Sequence, residues 1–126
     1  MNAVLAVAAG GAVGAVARYL VMTRVGHWLG AVFPYGTLTV NIVGSFVLGA
    51  MVEAMALAWT VGGEMRAFLV VGMLGSFTTF STFSLDVVTL IQRGQLGSAG
   101  FYVVASVIVA LVGFMLGMTL LRLVLA

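Results

Sequence analysis

The sequence contains no cysteine, no lysine and a single proline, and only 6% of its 126 residues are charged. Without cysteine the chain can form neither a disulfide nor a thiolate metal site. Soluble domains usually carry about 25% charged residues, so a chain this poor in charge cannot cover a soluble surface. The net charge of +2 comes from scattered arginines, too few for a nucleic-acid surface. A soluble domain and a nucleic-acid-binding protein are therefore excluded.

Hydrophobic residues make up 63% of the chain and occur in long runs. A transmembrane helix needs roughly 20 mostly apolar residues. Four segments are long enough, residues 3–25, 36–59, 65–92 and 99–124, and the loop-forming residues fall between them. The first run continues past the length of a signal peptide, so we expect it to be retained as a helix. The sequence predicts an all-α, multi-pass integral membrane protein, a single four-helix domain of residues 1–126.

Glycine is abundant, with 17 residues. In membranes, small residues four positions apart let helix backbones approach closely. Such pairs occur at Gly10/Gly14, Ser45/Gly49 and Gly113/Gly117. Each pair predicts close helix packing.

The arginines are divided almost evenly between the two ends of the predicted helices. Arg24 and Arg93 fall at one side, and Arg66 and Arg122 at the other. Arg18 adds to the first side only if it lies outside the membrane. Because the positive-inside rule then gives almost no preference, the chain is expected to insert in both orientations. Two oppositely oriented copies could pair about an axis in the membrane plane.

Polar side chains within membrane segments are costly and mark functional candidates. Arg18 could extend to the membrane interface or attract anions into a vestibule. Asn41 could join two helices or line a pathway, because its amide both donates and accepts. Of the remaining polar residues, Glu53 and Glu64 are expected to be solvated, His27 to lie in a loop, and Asp86 to cap a helix or pair with an arginine.

Within the segment GSFTTFSTFS, residues 75–84, five hydroxyls occupy the seven positions 78–84, near the centre of the third predicted helix. Ordinarily such hydroxyls bond to carbonyls one turn back. This many could instead break the helix near the membrane midplane, and the freed carbonyls could hold a cation. Phe77, Phe80 and Phe83 recur every three residues, a spacing typical of core packing. Their electropositive ring edges, together with the hydroxyls, could also solvate an anion.

No carboxylate pair, histidine cluster or nucleophile–base arrangement can be built from these residues, so we predict that the chain is not an enzyme. Two further functional classes share some features with this sequence. A small multidrug-type exporter needs a membrane carboxylate in its first helix, and this chain has only Arg18 there. A non-transporting scaffold subunit would explain the small-residue faces but not Asn41 and the hydroxyl–phenylalanine segment.

Three segments, GGAVGAVARY, GTLTVNIVGSFVLG and GMLGSFTTFSTFSLD, resemble the signatures of the Fluc (CrcB-type) family of small bacterial fluoride channels. The string TTFSTFS is the most specific, and the resemblance covers nearly the whole chain. It implies an antiparallel, dual-topology homodimer with two pores in the bacterial inner (cytoplasmic) membrane. It also implies passive, selective fluoride export that gives fluoride resistance. The implied partners are fluoride, the lipid bilayer and a second copy, with no nucleic acid.

The resemblance also implies roles for individual residues. The vestibule arginine would be Arg18, and the main-chain carbonyls of Gly75 and Thr78 would bind a central structural sodium ion. Two residues depart from the family pattern: Asp86 replaces a common Glu, and Ala110 replaces a frequent hydroxyl. The residues implied to line the fluoride pore are Asn41, Phe80, Phe83, Ser81, Thr82, Ser84, Thr37, Tyr102 and Ser106.

Overall fold

The computed structural model describes residues 2–125, which form helices joined by short turns. Four helical spans are long and apolar enough to cross a membrane: α1 (Ala3–Leu29), α2 (Tyr35–Leu57), the third span (Gly63–Gln92) and α6 (Leu96–Leu125). The all-α membrane class expected from composition is therefore confirmed. The first and last residues of the predicted domain, at positions 1 and 126, lie outside the described residues.

The third span is not a uniform helix. It consists of α3 (Gly63–Arg66), a π-helical segment (Ala67–Leu74), α4 (Gly75–Phe77) and α5 (Phe80–Gln92). Between α4 and α5 the backbone is extended, with φ/ψ of −84°/155° at Thr78 and −150°/120° at Thr79. The Thr79 hydroxyl accepts a hydrogen bond from the Thr82 N–H, which caps the first turn of α5.

The helix ends follow local capping chemistry. At the start of α1, the Asn2 side chain accepts a hydrogen bond from the Leu5 N–H at 2.9 Å. The helix continues beyond the predicted residue 25 and ends at Leu29, and the φ of 87° at the following Gly30 favours glycine. His27 therefore lies in the last turn of α1, and its predicted loop position is wrong.

Helices α2 and α6 make the most extensive contact in the bundle. A Cβ at Gly49 would clash with the carbonyl oxygen of Phe114, and one at Gly117 with that of Phe46. Both glycines belong to the small-residue pairs found in the sequence, so these two positions let the backbones of α2 and α6 touch.

Helix α1 packs against the π-helical segment and α4. A Cβ at Gly14 would clash with the Met73 carbonyl oxygen and the Ser76 hydroxyl. The Ser76 hydroxyl donates to the Gly11 carbonyl at 3.0 Å, which adds a polar link to this contact. The segment before the extended residues is thereby held against α1.

Glu53 is not solvated as the sequence suggested. It lies in α2 with only 6% of its surface exposed and accepts hydrogen bonds from Arg122 Nε at 3.0 Å and Nη2 at 3.3 Å. The close α2–α6 contact brings the two side chains together, and a buried carboxylate requires such a partner. The prediction that Glu53 is solvated is wrong. It rested on the position of Glu53 in the sequence, which does not show that α6 packs against this side chain.

Candidate functional site

A cleft of about 340 Å³ opens on the surface of the chain between α2, the third span and α6. It brings together six of the residues singled out from the sequence: Asn41, Gly75, Thr78, Phe80, Phe83 and Ser106. Other lining residues include Ser45, Thr79 and Ala110. The cleft is mostly apolar, with a few convergent polar groups, as is typical of small-ligand sites.

Asn41 joins α2 to the extended residues of the third span. Its Oδ1 accepts a hydrogen bond from the Thr79 N–H at 2.8 Å, and its Nδ2 donates to the Thr79 carbonyl at 3.1 Å. The amide thus binds both backbone groups of one residue. This satisfies Thr79 where the helix is interrupted, and it places Asn41 at the wall of the cleft.

The extended residues change the hydrogen bonding of two carbonyls. In a regular α-helix the Gly75 carbonyl would accept from the Thr79 N–H, and the Thr78 carbonyl from the Thr82 N–H. Here the first donor binds Asn41 Oδ1, and the second binds Thr79 Oγ1. Both carbonyl oxygens have therefore lost their usual helical donors.

The hydroxyls of residues 78–84 fall into two groups. Thr78 and Ser84 donate to carbonyls one turn back, those of Leu74 and Phe80, at 3.0 and 3.1 Å. The other three form a cluster, in which Thr79 Oγ1 donates to Thr82 Oγ1 and lies 3.2 Å from Ser81 Oγ. Hydrogen bonds to carbonyls one turn back thus account for only two of the five hydroxyls in residues 78–84.

An aromatic column begins at the cleft and continues along the bundle. The ring centroids of Phe80 and Phe83 are 5.5 Å apart, those of Phe83 and Tyr102 5.2 Å, and those of Tyr102 and Phe33 5.5 Å. Phe80 is 78% exposed, whereas Tyr102 is fully buried. The column therefore leads from the open surface into the interior.

A polar group surrounds the inner end of this column, outside the cleft lining. The Tyr102 hydroxyl donates to Asp86 Oδ2 at 3.0 Å, and the buried Thr37 side chain lies against the same hydroxyl. Asp86 thus has a tyrosine partner, where the sequence suggested a helix cap or an arginine.

Among residues 2–125, two buried side-chain polar atoms have no hydrogen-bond partner. One is the Ser106 hydroxyl oxygen in the cleft wall, and the other is Nε of Arg18 in α1. Arg18 lines a separate groove with Tyr19, Met22 and Thr23, so a single chain does not bring it to the cleft.

The sequence places Thr79 among the five hydroxyls of the tract but gives it no role at the site, and Phe33 was not predicted at all. Thr79 had a detectable signal, because a hydroxyl three residues before Thr82 has the spacing of a helix N-cap. Phe33 had none, since its ring meets Tyr102 only through the tertiary fold.

The chain is similar to a characterised family along almost its whole length. The profile of the family described as "CrcB-like protein, Camphor Resistance (CrcB)" matches residues 5–118. A protein from Rhodospirillum centenum named "Fluoride-specific ion channel FluC" is 52% identical over 122 residues, covering 97% of both chains. Relatives of the same name are 47% identical in Nitrobacter winogradskyi, covering 96% of both chains. In Agrobacterium fabrum the identity is 52%, covering 90% of this chain and 91% of the relative.

Proposed function

We propose that this chain, which belongs to the CrcB-like family, is a fluoride-selective channel through which the ion leaves the cell passively. The relatives carry the name of an ion channel, so the chain is a channel and not an enzyme. The observation that carries the proposal is the cleft, which brings Asn41, Phe80, Phe83 and Ser106 together between three membrane-spanning segments.

Fluoride is small and strongly hydrated, so its pathway must replace water with other donors while binding weakly enough for release. A hydrogen bond to a charged group is worth about 1.5–3 kcal/mol, and several in sequence could offset dehydration stepwise. Asn41 and Ser106 supply donors at the cleft, and the ring edges of Phe80 and Phe83 supply positive potential. The proposed pathway also includes Arg18 in the vestibule and five further polar residues, Thr37, Ser81, Thr82, Ser84 and Tyr102. Of these, Ser84 and Tyr102 already donate their hydroxyl protons, to the Phe80 carbonyl and to Asp86.

We place this pathway in an antiparallel homodimer in the bacterial inner membrane, with two pores and the extended residues near the midplane. The even division of arginines supports insertion in both orientations. The cleft opens at the surface of the single chain and Phe80 is 78% exposed, as expected for a face that a second copy completes. Fluoride export through such pores would give fluoride resistance.

A structural sodium ion on the dimer axis would be held by the Gly75 and Thr78 carbonyls of both copies. These oxygens fit the role, because the donors they would have in a regular helix bind elsewhere. Carbonyls of interrupted membrane helices are suitable sodium ligands. When bound, the ion would supply a fixed positive potential beside the pores.

The test is fluoride efflux from liposomes that contain the purified protein, followed with a fluoride electrode. We expect rapid fluoride efflux without a proton gradient, and no chloride efflux under matched conditions. Strict dependence of fluoride efflux on a proton gradient would indicate an exchanger. Absence of fluoride efflux from liposomes with correctly folded dimer would favour a scaffold subunit.

A further inference from the structure

We infer that Asn41 is a positioning residue for the proposed sodium site, because its side chain holds the backbone conformation that frees the Gly75 carbonyl. The inference rests on the proposed function, specifically on a cation bound at Gly75 and Thr78. It gives Asn41 a second task besides lining the fluoride pathway.

Two acceptors can compete for the Thr79 N–H group. In a continuous α-helix the Thr79 N–H would donate to the Gly75 carbonyl. In this structure it donates to Asn41 Oδ1 at 2.8 Å, and the Thr79 backbone is extended. As long as Asn41 accepts this hydrogen bond, the Gly75 oxygen keeps its lone pairs for another partner.

Removing the Asn41 amide would leave the Thr79 N–H without its acceptor. The Thr79 N–H is part-buried, and an unsatisfied buried donor is unfavourable. Without Asn41 Oδ1, the Gly75 carbonyl is the acceptor that helical geometry offers to this N–H. The helix would then close across Thr79 and occupy the oxygen assigned to the cation.

The oxygen and the nitrogen of the Asn41 amide have separate roles. Asn41 Oδ1 takes the Thr79 N–H, whereas Nδ2 donates one of its two hydrogens to the Thr79 carbonyl. The oxygen therefore frees the Gly75 carbonyl, and the remaining N–H is the part suited to an anion in the cleft. A carboxylate of the same shape would keep the first role and lose the second.

The experiment compares wild type, Asn41→Ala, Asn41→Leu and Asn41→Asp, purified in detergent with N-methyl-D-glucamine as the only added cation. Thermal unfolding is measured as sodium chloride is added, with N-methyl-D-glucamine chloride keeping ionic strength constant. Wild type should be stabilised by sodium, since a ligand that binds the folded state raises its Tm. Fluoride efflux from liposomes is measured in parallel.

We expect Asn41→Ala and Asn41→Leu to raise the sodium concentration for half-maximal stabilisation about tenfold or more, the effect of one lost hydrogen bond. Asn41→Asp should respond to sodium at least as strongly as wild type, yet lose fluoride efflux because its carboxylate repels the anion. Ser106→Ala is the matched control, because Ser106 lines the same cleft without a hydrogen bond to Thr79. It should change fluoride efflux and leave the sodium midpoint unchanged.

A wild-type sodium midpoint in Asn41→Ala or Asn41→Leu would overturn the inference. If neither variant folds, Asn41→Asp decides, because loss of its sodium response would show that the retained acceptor is not what frees the site. If wild type shows no sodium response, the proposed cation site fails and the inference with it. The fluoride-channel proposal would then still be judged separately by wild-type efflux.

Discussion

At the scale of single residues, the hydroxyls near the cleft differ in whether they already donate a hydrogen bond. Ser84 donates to the Phe80 carbonyl at 3.1 Å, so its proton is already used. Thr82 accepts from the Thr79 hydroxyl, and Ser106 has no hydrogen-bond partner among the described residues. In the proposed pathway, Thr82 and Ser106 are therefore better placed than Ser84 to donate a hydrogen bond to fluoride.

Replacing one phenylalanine of the column tests the ring-edge role. We expect Phe80→Ile to lower fluoride efflux from liposomes about tenfold or more, because the aliphatic side chain offers no electropositive edge. Each chain should still fold, since Phe80 is 78% exposed in the single chain and contributes little to its core. Isoleucine is also apolar, so the contact with the second copy should be kept and the dimer should remain intact.

Phe101→Ile is the control for this prediction. Phe101 lies at the start of α6, 64% exposed and outside the lining of the cleft. Its replacement should leave efflux at the wild-type level. Equal fluoride efflux from Phe80→Ile and wild type would show that the Phe80 ring has no role in the pathway.

Individual residues also show what sequence could not provide. Asn41 stood out because an amide in an apolar helix is costly, but its partner Thr79 is 38 residues away. Glu53 was expected to be solvated, although its partner Arg122 is 69 residues away on a facing helix. Composition identifies costly groups, whereas their partners depend on helix packing.

At the scale of elements, the four membrane spans were predictable because long apolar runs have few alternatives. The π-helical turn of Ala67–Leu74 was not, since an almost uniformly apolar run carries no periodicity to indicate its register. The hydroxyl tract suggested an interruption. The extended conformation of Thr78 and Thr79 could not be predicted, because it depends on the hydrogen bonds from Thr79 to Asn41 and from Thr82 to Thr79.

The contact between α2 and α6 gives a prediction about packing. We expect Gly117→Ala to destabilise the folded protein by about 1–3 kcal/mol, because its Cβ would clash with the Phe46 carbonyl. The measurement is the fraction of folded dimer that remains after heating in detergent.

Gly97→Ala is the matched control on the same helix, because a Cβ there meets no atom within 4 Å. It should be neutral or slightly stabilising, since alanine is favoured over glycine within a helix. If Gly97→Ala and Gly117→Ala are equally stable, close backbone packing is not what Gly117 provides.

At the scale of the whole molecule, the sequence predicts a membrane protein. Its assembly can be inferred from the sequence only through the number of arginines at each end of the helices. The count depends on whether Arg18 is exposed to the membrane interface. In the single chain Arg18 lines a groove on the surface of α1, away from the cleft. A vestibule that includes Arg18 would therefore have to be formed by more than one chain. Composition and periodicity carry no information on how two chains pack together.

Orientation in the membrane can be measured directly. We expect single cysteines introduced into the 58–62 turn to be labelled from both membrane faces in intact cells, in about equal amounts. The cysteine-free sequence makes such labelling specific. Adding two arginines to this turn should shift labelling toward one face, because the positive-inside rule then favours one orientation. Labelling of the original turn from one face only would contradict dual insertion.

The interrupted third span has a consequence for biosynthesis. The groups that satisfy it, the Gly11 carbonyl in α1 and the Asn41 amide in α2, both precede it along the chain. Because chains emerge from the ribosome N-terminus first, these partners are already made when Ser76 and Thr79 appear. The backbone groups of Thr79 therefore do not depend on a helix that is synthesised later. This matters in lipid, where an unpaired backbone group is costly. A circular permutation that synthesised the third span first would reverse this order and should lower the yield of inserted protein.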